Sequence, residues 1–257
     1  MFPRLFHIGS FSLPTYGALV ALAFLTALWM ASRFAKQRGL DSEKIVNLGV
    51  YCALTGMLGA KLLMIALDPE YRKNPLEIFS MATLQSAGIF FGGFALALVF
   101  AYFYMKKQGL PVWSTADIFA PGLALGHGIG RLGCFAAGCC WGKPTHLPWA
   151  VTFTSQDTTT GVPLGIPLHP TQLYEAFAEG AICLILLAGM KRAHEDGAII
   201  GLYLVLYGLV RFGVEFLRMH DSSNPLGGPF TLEQWISLGA LAGGAWLLVR
   251  KPAPAAL

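Results

Sequence analysis

The chain has 257 residues, of which 55% are hydrophobic, a further 30 are glycine and only 12% are charged. A soluble domain carries about 25% charged residues, so this composition excludes a disordered chain and a small disulfide-rich secreted protein. The net charge is +4, but the 18 Lys and Arg are scattered, which gives no basic patch and predicts no nucleic-acid partner. The composition predicts an all-α integral membrane protein.

Apolar stretches of about 20 residues, long enough to cross a bilayer as a helix, recur along the chain. The first begins at Tyr16 and is followed directly by Arg33, Lys36 and Arg38, which is typical of a retained span rather than a cleaved signal. A single polytopic membrane domain is predicted over residues 1–257. Its seven transmembrane helices are expected at 16–35, 45–67, 87–105, 117–138, 170–190, 197–217 and 231–249.

Two connecting segments, 68–86 and 139–169, are long and rich in Pro, Gly and Thr. The alternating run 149–154 predicts a strand or two, and therefore a small extracytoplasmic head within residues 139–169. Lys and Arg are more frequent at the span ends that include Lys106 and Arg192 than at the opposite ends. Because cytoplasmic loops collect these residues, a multi-pass membrane protein is expected with its N-terminus outside and its C-terminus in the cytoplasm.

Three cations, Lys61, Arg131 and Arg211, fall inside predicted spans. A charge near the middle of a bilayer costs about 2.5–3.5 kcal/mol, so each needs an acidic partner or a water-filled cavity. Guanidinium groups bind phosphate through paired hydrogen bonds, so two buried arginines favour a site for an anionic phospholipid head group. The alternative is that these charges are paired with acids and only tie helices together.

Two motifs lie next to these charges. Arg131 belongs to the glycine-rich stretch 126–133, which allows the backbone to approach a ligand closely or allows close helix packing. The string HPTQLYE at 169–175 begins a span and places Gln172 and Glu175 on one helix face. The alternative for this string is an interfacial cap with an aromatic anchor.

A third motif covers residues 207–218. Tyr207, Arg211, Glu215 and Arg218 are spaced by four, four and three residues, which predicts one shared helix stripe. The alternative is an internal Arg-Glu pair that only neutralises itself.

Together these motifs resemble the prolipoprotein diacylglyceryl transferase family. The likeness covers most of the chain, and the strings HPTQLYE and YGLVRFGVEFLR are specific in combination. The resemblance implies seven membrane helices with an external head and no metal or cofactor. It implies transfer of the diacylglyceryl group of phosphatidylglycerol to the lipobox cysteine thiol of a prolipoprotein, with a thioether formed and glycerol phosphate released. The implied partners are phosphatidylglycerol, the lipobox cysteine and membrane lipids.

The same resemblance assigns roles to individual residues. The essential arginines of the family fall on Arg131 and Arg211, which are expected to hold the phosphate and to stabilise its leaving charge. The remaining catalytic expectations are Glu215, His169 and Tyr207. Substrate binding is expected of Tyr16, Gly92, Gly93, Gln172, Glu175, Cys134 and Cys139.

The chain departs from the family pattern before its paired glycines. Phe91 stands where the family has a histidine, and a phenylalanine cannot move a proton. The proton of the acceptor thiol must therefore be taken by another group, and Glu215, His127 and His169 are the candidates.

A second departure replaces the family pattern GNFxNGExWG by a cysteine-rich stretch that contains Cys134, Cys139 and Cys140. These cysteines fit three interpretations: small apolar replacements, a vicinal redox or metal-binding feature, or thiols in altered chemistry, since a thiolate beside Arg131 is activated. With Phe91, they also leave open a non-catalytic or altered-chemistry phospholipid-binding paralogue.

Overall fold

The computed structural model describes residues 3–8, 11–80, 83, 88–155, 160–219, 224 and 227–250. Parts of the predicted connecting segments 68–86 and 139–169 lie outside these residues, as do parts of the segment 218–230. The chain divides into two compact units, one formed by Met1–Met30 and Ala116–Leu257 and the other by Ala31–Thr115.

Helices account for most of the described chain. In order they are α1 (Thr15–Gln37), α2 (Ser42–Leu67), α3 (Pro69–Lys73), α4 (Phe90–Gln108), α5 (Val112–Ala137), α6 (Thr171–Met190), α7 (Ala198–Glu215) and α8 (Leu232–Val249), with a 3-10 helix at Pro75–Phe79. Two antiparallel strand pairs accompany them: β1 (Arg4–Ile8) with β2 (Phe11–Pro14), and β3 (Val151–Thr152) with β4 (Pro167–Leu168).

Within the described residues, six helices are long and apolar enough to cross a membrane, namely α1, α2, α4, α6, α7 and α8. The expected all-α integral membrane architecture is therefore confirmed. The remaining expected span, 117–138, corresponds to α5, which has 26 residues and is about 39 Å long. This helix also carries Asp117, His127 and Arg131, and the count of seven crossings stays a prediction.

Glycine contacts join α2 to α4 in the unit Ala31–Thr115. A Cβ on Gly59 would overlap the carbonyl oxygen of Gly92, and a Cβ on Gly93 would lie 2.6 Å from the carbonyl oxygen of Gly56. The two backbones therefore approach at a distance that only glycine permits. The pair Gly92 and Gly93, expected to bind substrate, lies at this helix crossing.

Lys61, the predicted intramembrane cation of the same unit, donates a hydrogen bond of 2.6 Å to the carbonyl oxygen of Thr83. A backbone carbonyl is an adequate acceptor for a partly buried ammonium group. This contact gives Lys61 a structural role, which is closer to the alternative stated above than to ligand binding.

Asp117 connects α5 to the start of α7. Its buried carboxylate accepts hydrogen bonds from the backbone N–H groups of Gly197 at 2.7 Å and Ile200 at 2.8 Å. These N–H groups have no partner within the helix, and a carboxylate at a helix N-terminus is stabilised by the helix dipole. This acid therefore caps α7, the helix that carries Arg211.

The segment after α5 contains a small apolar core of its own. Phe153, Val162 and Leu168 are buried together, and Phe135 and Trp141 pack against them. The strand expected within 149–154 is confirmed as β3, while the hairpin of β1 and β2 has no counterpart in the sequence prediction. The placement of this segment outside the membrane stays a prediction.

Candidate active site

Arg131 on α5 and Arg211 on α7 converge on one carboxylate, that of Glu175 on α6. The Nη2 of Arg131 lies 2.7 Å from Glu175 Oε2, and the Nη1 of Arg211 lies 3.5 Å from Glu175 Oε1. All three side chains are largely buried. The two guanidinium groups therefore face a single carboxylate. Their separation also allows one phosphate to contact both groups.

Glu215 fixes the orientation of Arg211. Its Oε2 lies 2.7 Å from Arg211 Nη1, one helical turn away, and its Oε1 accepts a hydrogen bond of 3.2 Å from Thr231 Oγ1. Thr231 is also the N-cap of α8, in a capping box with Gln234. The start of α8 therefore anchors the carboxylate that holds Arg211 in place.

Arg218 corrects one part of the sequence prediction. Helix α7 ends at Glu215, so Arg218 does not share the helix stripe of Tyr207 and Arg211. Beyond the helix the backbone pairs with another segment, since the N–H of Lys143 donates to the carbonyl oxygen of Leu217 at 2.8 Å. Arg218 Nε still lies 4.0 Å from Glu215 Oε2, because the chain turns back toward the end of α7.

His127 and Glu179 form a hydrogen-bonded pair beside the arginines. His127 Nδ1 lies 2.8 Å from Glu179 Oε1, its Nε2 lies 4.0 Å from Glu175 Oε2, and its ring centroid is 5.5 Å from that of Tyr207. Glu179 is almost fully buried, whereas 29% of the His127 side chain is exposed. Sequence reasoning did not select Glu179, although it lies four residues after Glu175 on the same helix face.

The charges of this cluster balance. The ion pairs described above contain three arginines and three carboxylates. These are Arg131, Arg211, Arg218, Glu175, Glu179 and Glu215. Within the described part of the chain, the buried Nε of Arg131 and Oε1 of Gln172 have no hydrogen-bond partner. A buried donor without a partner is costly, so Arg131 retains a donor that an anionic ligand can satisfy.

The turn after α5 brings three thiols together. The Sγ atoms of Cys134, Cys139 and Cys140 all lie within 4.8 Å of one another, and each residue is half-buried. Gln172 Nε2 donates to the carbonyl oxygen of Cys139 at 2.6 Å, and Thr171 Oγ1 donates to that of Cys140 at 2.9 Å. The HPTQLYE motif therefore supports the cysteine turn as well as the arginine pair.

The thiols differ in how strongly they hold their protons. The pKa of Cys140 is lowered because its sulfur accepts hydrogen bonds from Cys134 and Cys139 and lies near the charges of Arg218 and Arg131. The pKa of Cys139 is raised because it hydrogen-bonds to Cys134 and Cys140 through its protonated form. The surroundings therefore favour deprotonation of Cys140 over deprotonation of Cys139.

Tyr16 and His169 both lie next to segments that adjoin this turn. A Cβ on Gly133 would lie 3.2 Å from Tyr16 Cδ2, so the tyrosine ring packs directly on the helix backbone before Cys134. His169 Nδ1 lies 3.2 Å from Tyr174 Oη. The His169 backbone pairs with the segment after the turn through Lys143, whose carbonyl oxygen accepts its N–H at 3.0 Å.

A comparison with known protein families identifies the family of this chain. The family model described as prolipoprotein diacylglyceryl transferase matches residues 3–250. The chain belongs to this family. The match covers both units, the cysteine turn and all of the charged residues described above.

Relatives that carry the name phosphatidylglycerol-prolipoprotein diacylglyceryl transferase match over nearly their whole length. The protein from Clostridium tetani is 34% identical over 247 residues, which are 96% of this chain and 96% of the relative. The protein from Solidesulfovibrio magneticus is 36% identical, over 97% of this chain and 94% of the relative. A relative from Geobacter sulfurreducens is 35% identical over 91% of this chain and 89% of its own length.

The family's paired glycines belong to the other compact unit. Gly92 and Gly93 lie in the first turns of α4, where they contact α2, and Phe91 beside them is 40% exposed. Their expected contact with substrate stays a prediction, whereas their role in helix packing is direct.

Proposed function

We propose that this membrane protein transfers the diacylglyceryl group of phosphatidylglycerol to the thiol of the lipobox cysteine in a prolipoprotein. The products are a thioether-linked lipoprotein precursor and glycerol phosphate. Membership of the prolipoprotein diacylglyceryl transferase family supports this activity. The structural observation that carries it is the convergence of Arg131 and Arg211 on one buried carboxylate.

The phosphate of phosphatidylglycerol binds between the two arginines in this proposal. Both guanidinium groups point at Glu175, and the free Nε of Arg131 offers a further donor. As the bond between glyceryl carbon and phosphate oxygen breaks, the phosphate gains a negative charge, which these fixed donors stabilise. A single donor of this kind contributes about 2.7–4 kcal/mol to transition-state stabilisation.

Glu175 is the residue that the phosphate must compete with. Its carboxylate already contacts both arginines, so the phosphate replaces one anion by another and leaves the arginines paired. Glu215 acts differently, since its ion pair with Arg211 and its hydrogen bond from Thr231 hold the guanidinium in place. We assign Glu215 to positioning Arg211 rather than to proton transfer.

His127 is the proton acceptor that the geometry favours among the three candidates. Its Nδ1 is held by Glu179, which leaves Nε2 to accept the proton of the acceptor thiol and stabilises the resulting imidazolium. Both oxygens of Glu215 are occupied, and His169 hydrogen-bonds to Tyr174. His169 is therefore proposed to shape the wall of the site.

Tyr207 is proposed to act beside His127, since their rings are in contact. Substrate binding is proposed for Tyr16, Cys134, Cys139, Gln172 and Glu175 in the unit that carries the arginines. For Gly92 and Gly93, which belong to the other unit, substrate contact is proposed on the family resemblance alone.

The reaction assigns the protein to a membrane compartment. Its six apolar helices make it a multi-pass membrane protein. Because the acceptor is a secreted precursor, we propose the bacterial inner membrane, with the N-terminus outside and the C-terminus in the cytoplasm. This orientation places the span ends that are rich in Lys and Arg, including Lys106 and Arg192, in the cytoplasm.

The test is to reconstitute the purified chain in vesicles of phosphatidylglycerol with a lipobox peptide. Mass spectrometry is expected to find the diacylglyceryl thioether, with glycerol phosphate released in equal amount. The same peptide with serine for its cysteine is the matched control and is expected to remain unmodified. Binding of phosphatidylglycerol without either product would contradict the proposal and support the non-catalytic paralogue, which the replacements at Phe91 and Cys139 favour.

A further inference from the structure

We propose that Cys134, Cys139 and Cys140 bind a thiophilic divalent cation of the Zn²⁺ type through three sulfur ligands, and that the acceptor thiol occupies its fourth position. The second half of this proposal rests on the transferase function proposed above. The family resemblance supplies no such site, because the family pattern has asparagine and glutamate in this stretch. The argument comes from the arrangement of the three thiols in this chain.

The sulfur atoms are close to the spacing that zinc requires. They all lie within 4.8 Å of one another. Zn–S bonds of about 2.3 Å in a tetrahedron place sulfur atoms about 3.8 Å apart. Each pair must therefore approach by at most about 1 Å, which small rotations of the cysteine side chains provide.

The backbone already holds the ligands in this arrangement. Helix α5 ends at Ala137, and the N–H of Cys139 donates to the carbonyl oxygen of Cys134 at 3.0 Å, which closes the turn. Gly138 and Cys140 are both left-handed, with φ of 74° and 61°. Among the described residues other than glycine, Cys140 alone has a positive φ, a conformation that L-residues with side chains disfavour.

Buried side chains of α6 brace the turn from outside. Gln172 and Thr171 are each 0% exposed, and their donors bind the carbonyl oxygens of Cys139 and Cys140. Groups that orient the ligands of a metal are normally fixed in this way by hydrogen bonds. The cluster therefore does not have to fold around the cation, since its backbone is ordered by contacts that do not involve sulfur.

The charge and the exposure of the cluster suit a catalytic rather than a closed site. A divalent cation with three thiolates has a net charge of −1, and the positive charges of Arg131 and Arg218 act on Cys140. The three thiols are half-buried, so a fourth ligand can reach them. Three protein ligands with one open position is the pattern of catalytic zinc.

The open position allows the cation to activate the acceptor thiol, whereas Phe91 has no group that can take the thiol proton in place of the family histidine. A thiol bound to the cation is deprotonated, so the acceptor S–H bond breaks at the metal and its proton passes through water to His127. The sulfur lone pair forms the bond to the glyceryl carbon, while the carbon–oxygen bond to the phosphate breaks. Glycerol phosphate leaves with that electron pair, held by Arg131 and Arg211. No oxidant or reductant is required.

The test measures metal content and thiol reactivity before any activity. The full chain is isolated in detergent without oxygen, loaded with Zn²⁺, freed of excess metal and analysed by plasma mass spectrometry. One zinc per chain is expected, with three thiols protected from a thiol reagent. Cys139→Ser and Cys140→Ser are expected to lose the zinc, whereas the matched controls Cys52→Ser and Cys183→Ser, which replace cysteines outside the cluster, are expected to retain it.

A thermal melt of each variant shows whether it has folded. Absence of zinc from folded wild-type protein, a disulfide among the three cluster cysteines, or full zinc content in folded Cys140→Ser would overturn the metal site. Thioether formation at an undiminished rate by zinc-free protein would overturn the role of the cation and leave the transferase function standing. Stoichiometric zinc without thioether formation would sink the transferase function and the role of the cation, and would leave the metal site standing.

Discussion

Replacing Arg211 by lysine distinguishes the contribution of Arg211 to phosphate binding from its contribution to the stability of the fold. The guanidinium of Arg211 contacts Glu215 at 2.7 Å and Glu175 at 3.5 Å, and the Glu215 side chain is 0% exposed. A lysine ammonium is a single point charge, whereas the guanidinium fork serves two anions at once. The ammonium of Arg211→Lys is therefore expected to stay with the buried Glu215, which leaves the phosphate with Arg131 alone.

The expected loss follows from one missing donor in the transition state. That loss is about 2.7–4 kcal/mol, or 10²- to 10³-fold in kcat. Stability is expected to change little, because Glu215 keeps a positive partner. Arg211→Ala, by contrast, leaves a buried charge unpaired at a cost of about 3–5 kcal/mol in the free energy of unfolding. The assay is release of glycerol phosphate in phosphatidylglycerol vesicles, with a thermal melt of each variant.

The matched control is Arg38→Lys, which changes an arginine outside the candidate site that hydrogen-bonds to Ser114. Its kcat is expected to equal that of the unmodified protein. A loss of less than tenfold in Arg211→Lys, about 1.4 kcal/mol, would refute the assignment of a phosphate-binding fork to Arg211.

Four further changes test the proton acceptor, the helix packing and the cap of α7. His127→Gln is expected to lower kcat by about 10²-fold or more and Glu179→Gln less, measured by thioether formation; equal rates in all three proteins would exclude His127. Gly59→Ala is expected to destabilise the fold by about 1–3 kcal/mol because its Cβ would overlap α4. The control Gly243→Ala meets nothing within 4 Å and should leave the thermal midpoint unchanged. Asp117→Ala removes acceptors for two backbone N–H groups and is expected to cost about 1–3 kcal/mol in a denaturation experiment, whereas an unchanged midpoint would refute its capping role.

The spans were accessible to sequence reasoning because hydropathy is a local property. Six helices of the structure coincide with predicted spans to within a few residues. The end of α7 was less accessible, since pairing of Leu217 with Lys143, a residue distant in the chain, stops the helix before Arg218. The hairpin of β1 and β2 was missed although residues 6–8 and 11–13 alternate between apolar and polar side chains on either side of Gly9 and Ser10, a spacing typical of a hairpin.

The candidate site was predicted in part. Its arginines, Glu175 and Glu215 stand out because charges are scarce in an apolar chain, and the scarcity is visible in composition alone. The partner of each charge was not visible. Asp117 caps α7 and Glu179 hydrogen-bonds to His127, although nothing in the sequence distinguishes the roles of these two acidic residues.

The sequence by itself determined the membrane class, the spans and the identity of the arginine pair, because these depend on residue type and on spacing within one helix. Only the tertiary structure decided that Arg131 and Arg211 share Glu175, and that three cysteines meet at one turn. The physical reason is that the partners lie on different helices. Their distances depend on how glycine contacts, caps and buried hydrogen bonds set the packing of those helices, and no local pattern contains that information.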